Sequence, residues 1–313
     1  MSTATVAMKS TMPAVRQVRA YFAPVDRAAG APTIFDAAKD GRFALDAPPA
    51  PWIDLGAVKG FTRTSETKVE PLLAGSPSAA RMQVRQTLDA TVRLEFMSWG
   101  KLQLALNAGS QQMNLAAGAA CAVLTGSTAT CVAVGAANVS AFQVGDMVAV
   151  DVDFVPGMTG FVGSGVSGAY VSAGAAQTIT DVNYTRRVTL NTGRIAALTA
   201  DSLVLMEPLP AGPPTAAMAV MPVSGFMDRE GGSFFQEWSA LFVMDGGQGD
   251  RVIFHYPRLQ AMQGAAETAG ALSKPLTQWG LAGAFRALPV SDATDGESVL
   301  CYRSYLPAAN VAI

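Results

Sequence analysis

A chain of 313 residues with 50 % apolar and 15 % charged side chains has ample material for a core. It is poorer in charge than the roughly 25 % usual for soluble domains, which points to a surface covered in part by a partner. A formal net charge of −2 argues against a basic nucleic-acid groove, and three cysteines (Cys121, Cys131, Cys301) with a single histidine (His255) complete none of the common zinc sets.

The length favours two domains, or one domain with a large insertion. Residues 1–50 are rich in Ala and Pro and carry little periodicity, and Pro24, Pro32, Pro48, Pro49 and the adjoining Pro51 interrupt any long helix or central strand. They predict an extended N-terminal arm, read either as a plain leader or as a segment that docks on a neighbouring subunit. The start MSTATVAMKS has no basic region followed by an apolar core, and no stretch is apolar enough for a membrane span, so a protein without membrane insertion is expected. Free buried thiols are expected, with a Cys121–Cys131 bridge as the alternative under oxidising conditions.

Trp52 to Phe61 predicts a first strand, and Thr62 to Ser78 a long connection with Leu72 and Leu73 near its tip. An apolar pair at the end of a polar loop calls for contact with another molecule. From Leu88 to Phe96, apolar Leu88, Ala90, Val92, Leu94 and Phe96 alternate with Asp89, Thr91, Arg93 and Glu95, the period of a strand with one dry face. Phe96, Trp99, Leu102 and Leu106 then recur at helical spacing before Asn107-Ala108-Gly109, which predicts a short helix folding back on that dry face.

From Ala108 to about Pro222 the chain is rich in small residues and contains no Lys, the mark of an inserted segment. Strands are predicted there at Met147–Phe154, Gln177–Asp181, Arg187–Asn191 and Ser202–Met206, giving an all-β insert. Long strands then return: Phe234–Met244, a turn over Asp245–Asp250, and Arg251–Tyr256. Pro257–Lys274 reads as a connection, with final strands at Gln278–Leu288 and Ser298–Tyr305. The fold class is mainly β with one short helix, organised as an arm (1–50), a core (51–107 and 229–313) and an inserted β domain (108–228).

Catalytic signatures are weak. Asp151 and Asp153 share one strand face, which is more often solvated than cation-binding. The stretch from Gly157 to Gly168 is glycine-rich without the Lys and following helix of a phosphate cradle. His255 lies in an apolar strand and no G-x-S-x-G is present, so a packed or interface histidine is expected. The reading is of a non-enzymatic protein with no catalytic, cofactor or metal residues.

The order of a strand (WIDLGAVKGF), a long loop, a long strand (MQVRQTLDATVRLEF), a short helix (MSWGKLQLALN) and later long strands resembles the tail tube, or major tail, proteins of long-tailed bacteriophages. The resemblance covers residues 50–107 and 230–306. It implies a tail-tube-type β-sandwich or barrel core with an Ig-like or small-barrel domain displayed on the outside. It further implies self-assembly into hexameric rings stacked into a tube that conducts double-stranded DNA, with tape measure, tail terminator and baseplate or tip proteins as further partners. The setting implied is the virion tail, assembled in the host cytoplasm. By the same resemblance Thr64, Glu66, Lys68, Leu72 and Leu73 belong to an inter-ring loop, and Asp89, Thr91, Arg93 and Glu95 to the lumen face. Alternating polar residues also mark any half-exposed strand. The competing reading is a monomeric carbohydrate- or surface-binding β module; the insert offers it only Phe142, Phe154, Phe161, Tyr170 and Tyr184 as stacking aromatics, and no Trp.

Overall fold

The structure, a computed structural model, describes residues 14–26, 31–49, 51–98, 100–108, 111–151, 154–155, 158–159, 191–229, 237–262, 267–273 and 276–308. In chain order these form strand β1 (Val15–Asp26), β2 (Ala31–Pro32), a one-turn helix α1 (Ala37–Asp40), β3 (Ile53–Ala74) and β4 (Ala79–Phe96). Helix α2 (Lys101–Ala108) leads to β5 (Gln111–Ala116), β6 (Cys121–Ala122), β7 (Cys131–Ala133) and the short helix α3 (Ala136–Val139). Next come β8 (Met147–Asp151), β9 (Phe154–Val155), β10 (Met158–Thr159), β11 (Thr192–Leu198), β12 (Ser202–Leu205) and β13 (Ala219–Arg229). The chain closes with β14 (Glu237–Gly246), β15 (Arg251–Ala261), β16 (Glu267–Ser273), β17 (Leu276–Ala287), β18 (Val290–Ser291), β19 (Ser298–Val299) and β20 (Tyr302–Leu306). The protein is mainly β, in two units: residues 1–24, 32–98 and 237–313 in the first, and 25–31 and 99–236 in the second.

In the first unit the antiparallel pairings run β1 to β14, β14 to β15, β15 to β17, β17 to β4, β4 to β3 and β3 back to β1, so six strands close on themselves. Closure removes sheet edges around the ring. The interior is filled by aromatic side chains: Phe22 meets Phe285 at 5.5 Å and Phe242 at 6.1 Å, and Phe61 meets Phe242 at 5.0 Å, mostly in tilted or edge-on geometry. The barrel is therefore a packed core and not a pore. On the outside, Tyr21, Ala23, Leu241, Val243 and Ile253 are covered by Phe35 and Trp52, with Phe43 and Leu45 packed alongside. Ala20–Ala23 and Ala240–Val243 are buried on both faces, which is why they read as unbroken apolar runs without alternation.

This corrects the reading of residues 1–50 as an arm. β1 is a central strand, hydrogen-bonded to β14 along nine register pairs and to β3 on its other side. The prolines that suggested an arm stand outside its middle: Pro24 lies at the end of the β1–β14 register, and Pro48 and Pro49 lie in the segment before β3. Arg19, which breaks the apolar run, is ion-paired with Asp54 of β3.

The second unit is a sheet in the order β7-β12-β11-β8-β13-β5-β10-β9, with β6 also on β13. Its core is aliphatic, built on Val123, Val132, Val148, Val150, Ile195, Leu203 and Val220 around Phe142. Buried Asn191, at φ 40°, donates from Nδ2 to the Val150 carbonyl at 2.9 Å and accepts from the Ala211 N–H at 3.1 Å, tying a turn to β8. The predicted strands at Met147 and Ser202 are present; Gln177–Asp181, and Arg187–Asn191 apart from Asn191, lie outside the described residues. The predicted helix begins later than expected and belongs to this unit, where it packs against β5 and β13 instead of the dry face of β4. The insert accordingly spans 99–236 where 108–228 was predicted.

Removing an interior aromatic should cost far more than trimming an exposed leucine. Phe242→Ala is expected to lower the unfolding free energy by about 3–5 kcal/mol, and Leu73→Ala by no more than about 0.5 kcal/mol, as read from urea denaturation of the unassembled chain.

Candidate assembly interface

The segment predicted as a loop, Thr62–Ser78, is the outer half of β3 and the turn that follows it. β3 runs unbroken from Ile53 to Ala74, turns through residues 75–78, and returns as β4, with pairs from Val58↔Phe96 out to Ala74↔Ala79. Its wet sequence on both faces hid it: TRTSETKVE has no apolar period, and only its Thr and Val content carries strand character. Barrel support ends early. β1 pairs β3 only between Ile53 and Val58, and β17 pairs β4 only between Thr91 and Phe96. Every residue from Thr64 to Asp89 is exposed, so a two-stranded ribbon roughly 30 Å long extends from the barrel, at about 3.3 Å per residue. Beyond those limits neither backbone edge of the ribbon is paired among the described residues.

The register unites two sets of residues that the sequence treats as separate. Thr64 stands opposite Thr91, Glu66 opposite Asp89, Lys68 opposite Thr87, and Leu72 opposite Met82, so Thr64, Glu66 and Lys68 extend the wet face of Asp89, Thr91, Arg93 and Glu95. Leu72 and Leu73 stand apart from them at the tip. On this face the Thr64 and Thr91 hydroxyls lie 2.6 Å apart, Lys59 is 2.9 Å from Glu95, and Arg286 is 3.2 Å from Asp89. These exposed pairs contribute little each. Glu66 directly opposite Asp89 is unfavourable in itself, and the cation of Arg286 beside Asp89 offsets it. The other face of β4, with Ala90, Val92, Leu94 and Phe96, is buried in the barrel as the alternation predicts, while Leu88 is already 36 % exposed. Arg63 closes the mouth there: Nε donates to the Tyr256 hydroxyl at 3.0 Å and the guanidinium lies 5.3 Å from the Phe254 ring centre.

The ribbon ends in apolar side chains left to water. Val69, Leu72, Leu73, Met82 and Val84 are 46, 54, 58, 57 and 42 % exposed. Of these the sequence reading singled out Leu72 and Leu73; Met82 and Val84 were missed because their cross-strand partnership depends on two register shifts near the tip.

His255 is a packed histidine, as expected. It is 3 % exposed, with Nε2 3.3 Å from the Thr33 carbonyl and its ring set edge-on to Trp52 at 5.8 Å and stacked on Tyr302 at 5.6 Å. Burial pulls its pKa down to about 4. The Tyr302 hydroxyl donates to Asp292 at 2.6 Å, a bond that pushes Tyr302 up to about 12 and holds the Asp292 carboxyl below its ordinary value. Beside this cluster lies a recess of about 510 Å³. Asp151 is buried in β8, while Asp153 and most of the glycine-rich stretch lie outside the described residues. Cys121, Cys131 and Cys301 are free thiols. Among the described residues no cluster of three His, Cys, Asp or Glu could hold a metal ion, and no helix is long and apolar enough to cross a membrane. No family model and no curated protein matches the chain.

Protonation of His255 should be linked to stability. Its folded pKa, about 4, lies below the ordinary 6.5, so the unfolded chain binds the proton more readily, and stability falls as pH drops from about 6.5 toward 4. The loss is roughly 1.4 kcal/mol per pH unit, about 3 kcal/mol in all. His255→Gln is expected to flatten that slope in urea midpoints measured against pH, whereas parallel curves for the two proteins would show that the histidine is not linked to folding.

Proposed function

We propose that this chain is a structural subunit of a bacteriophage tail tube, acting by self-association and not by catalysis. The observation that carries the reading is the β3–β4 ribbon, exposed on both faces and, among the described residues, unpaired along both edges. A two-stranded ribbon alone in water is marginally stable, and open edges with an apolar tip invite pairing. A second copy is the natural partner. The β3 edge of one ribbon and the β4 edge of the next make a heterologous contact that closes into a ring, hexameric by the family resemblance, and rings stack head to tail into a tube.

A conduit of this kind lies between subunits, because each barrel is filled with aromatic rings. Its wall would be the shared wet face. That face carries Lys59, Lys68, Arg93 and, beside Asp89, Arg286 against Glu66, Glu70, Asp89 and Glu95, four cations against four anions, so duplex DNA would slide along it without being held. In this reading the chain acts in the virion tail after assembly in the host cytoplasm. Tape measure, terminator and baseplate or tip proteins are its neighbours, inside the tube and at its ends.

The test is a ribbonless chain. Because Ser65 and Ala90 are direct cross-strand partners, replacing Glu66–Asp89 by Asn-Gly rebuilds a tight hairpin at that rung. By negative-stain microscopy the full chain is expected to form rings or tubes with a channel roughly 20 Å wide or more, enough for duplex DNA, while the ribbonless chain remains a folded monomer. Tubes formed without the ribbon, or a full chain that stays monomeric at every concentration, would contradict the proposal.

A further inference from the structure

We infer that the apolar tip of the ribbon seats in the recess beside Tyr302 on another copy of this chain. This rests on the self-assembly reading above and names the acceptor surface within it. The recess, about 510 Å³, falls within the roughly 300–1,000 Å³ of ligand-sized pockets. Ile34, Phe35, Val290 and Tyr302 line it, and Ile34 is 60 % exposed, a large aliphatic side chain left uncovered at its rim.

The titratable groups of the recess are already engaged within the subunit. Asp292 accepts from the Tyr302 hydroxyl and from the Thr294 N–H at 2.8 Å, Asp36 accepts from the Ala38 N–H at 2.9 Å, and His255 lies against the Thr33 carbonyl. What remains is mainly apolar surface, with the Ser291 and Ser304 hydroxyls, under a negative field, since the lining includes two carboxylates, Asp36 and Asp292, and no Lys or Arg. A small polar ligand finds few open partners there. An apolar protein element with a basic collar fits it.

The ribbon tip has those properties. Leu72 and Met82 are cross-strand partners on one face, with Val84 two residues from Met82 on the same strand face. Between Lys68 and Arg85 the collar holds three cations, Lys68, Arg81 and Arg85, against one anion, Glu70. Tip and recess are complementary in both hydrophobicity and charge. They are also different surfaces of the chain, so the contact is heterologous and propagates, as a growing tube requires.

The experiment places benzoylphenylalanine at position 73 of the full chain, mixes it with isotope-labelled wild-type chain, irradiates the assembled material and maps the products by mass spectrometry. Crosslinks from 73 to the other copy are expected in residues 287–303 or around Ile34. A companion variant, Ile34→Arg, alters an exposed side chain without touching either core and is expected to raise the protein concentration needed for assembly by about tenfold or more. Tubes that crosslink elsewhere and tolerate Ile34→Arg would overturn the inference and leave the assembly reading standing. A chain that forms no assemblies in any condition would overturn both.

Discussion

The central constraint is a β-ribbon that no other described strand pairs. Backbone N–H and C=O groups along a strand edge must be satisfied by water or by another strand, and a two-stranded ribbon with no covered face has little hydrophobic burial to hold it. Here β3 and β4 leave the barrel at Val58 and Thr91 and continue to a turn at residues 75–78 with every side chain from Thr64 to Asp89 exposed. Nothing in the barrel requires that length. In the proposed assembly its edges and its tip are covered by other copies.

The rest of the first unit is arranged to make the ribbon's base rigid. Six strands close around an aromatic interior, and a second apolar layer under Phe35 and Trp52 covers β1 and β14 from outside. The ribbon is anchored where it leaves this body: Arg63 bonds to Tyr256 and lies over Phe254, and Lys59 meets Glu95. The exposed Arg286–Asp89 pair further out adds little. A base anchored in the barrel beneath an exposed tip suits the docking between identical subunits proposed above.

Much of this was legible in the sequence, and the failures have physical causes. The alternation of Leu88–Phe96 correctly gave a strand with Ala90, Val92, Leu94 and Phe96 inward, because one face is dry and the other wet. β1 was missed because Ala20–Ala23 is dry on both faces, and the outer half of β3 because it is wet on both; periodicity reports only strands whose faces differ. The same limit hid the fact that Thr64, Glu66 and Lys68 share a face with Asp89, Thr91 and Arg93, since register between strands is a pairwise property. Helix α2 was found, but its partner was not: apolar spacing shows that a face is buried without showing against what. The recess near Tyr302 is assembled from the segment around Ile34, β15, the β18–β19 turn and β20, and no local pattern announces it.

The most direct measurement of the central claim is hydrogen–deuterium exchange across the ribbon as a function of protein concentration. The account predicts that amides of residues 64–74 and 79–89 exchange fast in the dilute chain and become protected on assembly, along both edges, while the barrel strands stay protected throughout. Ribbon amides that remain fast in assembled material would contradict it, because the assembly would then be held by some other surface.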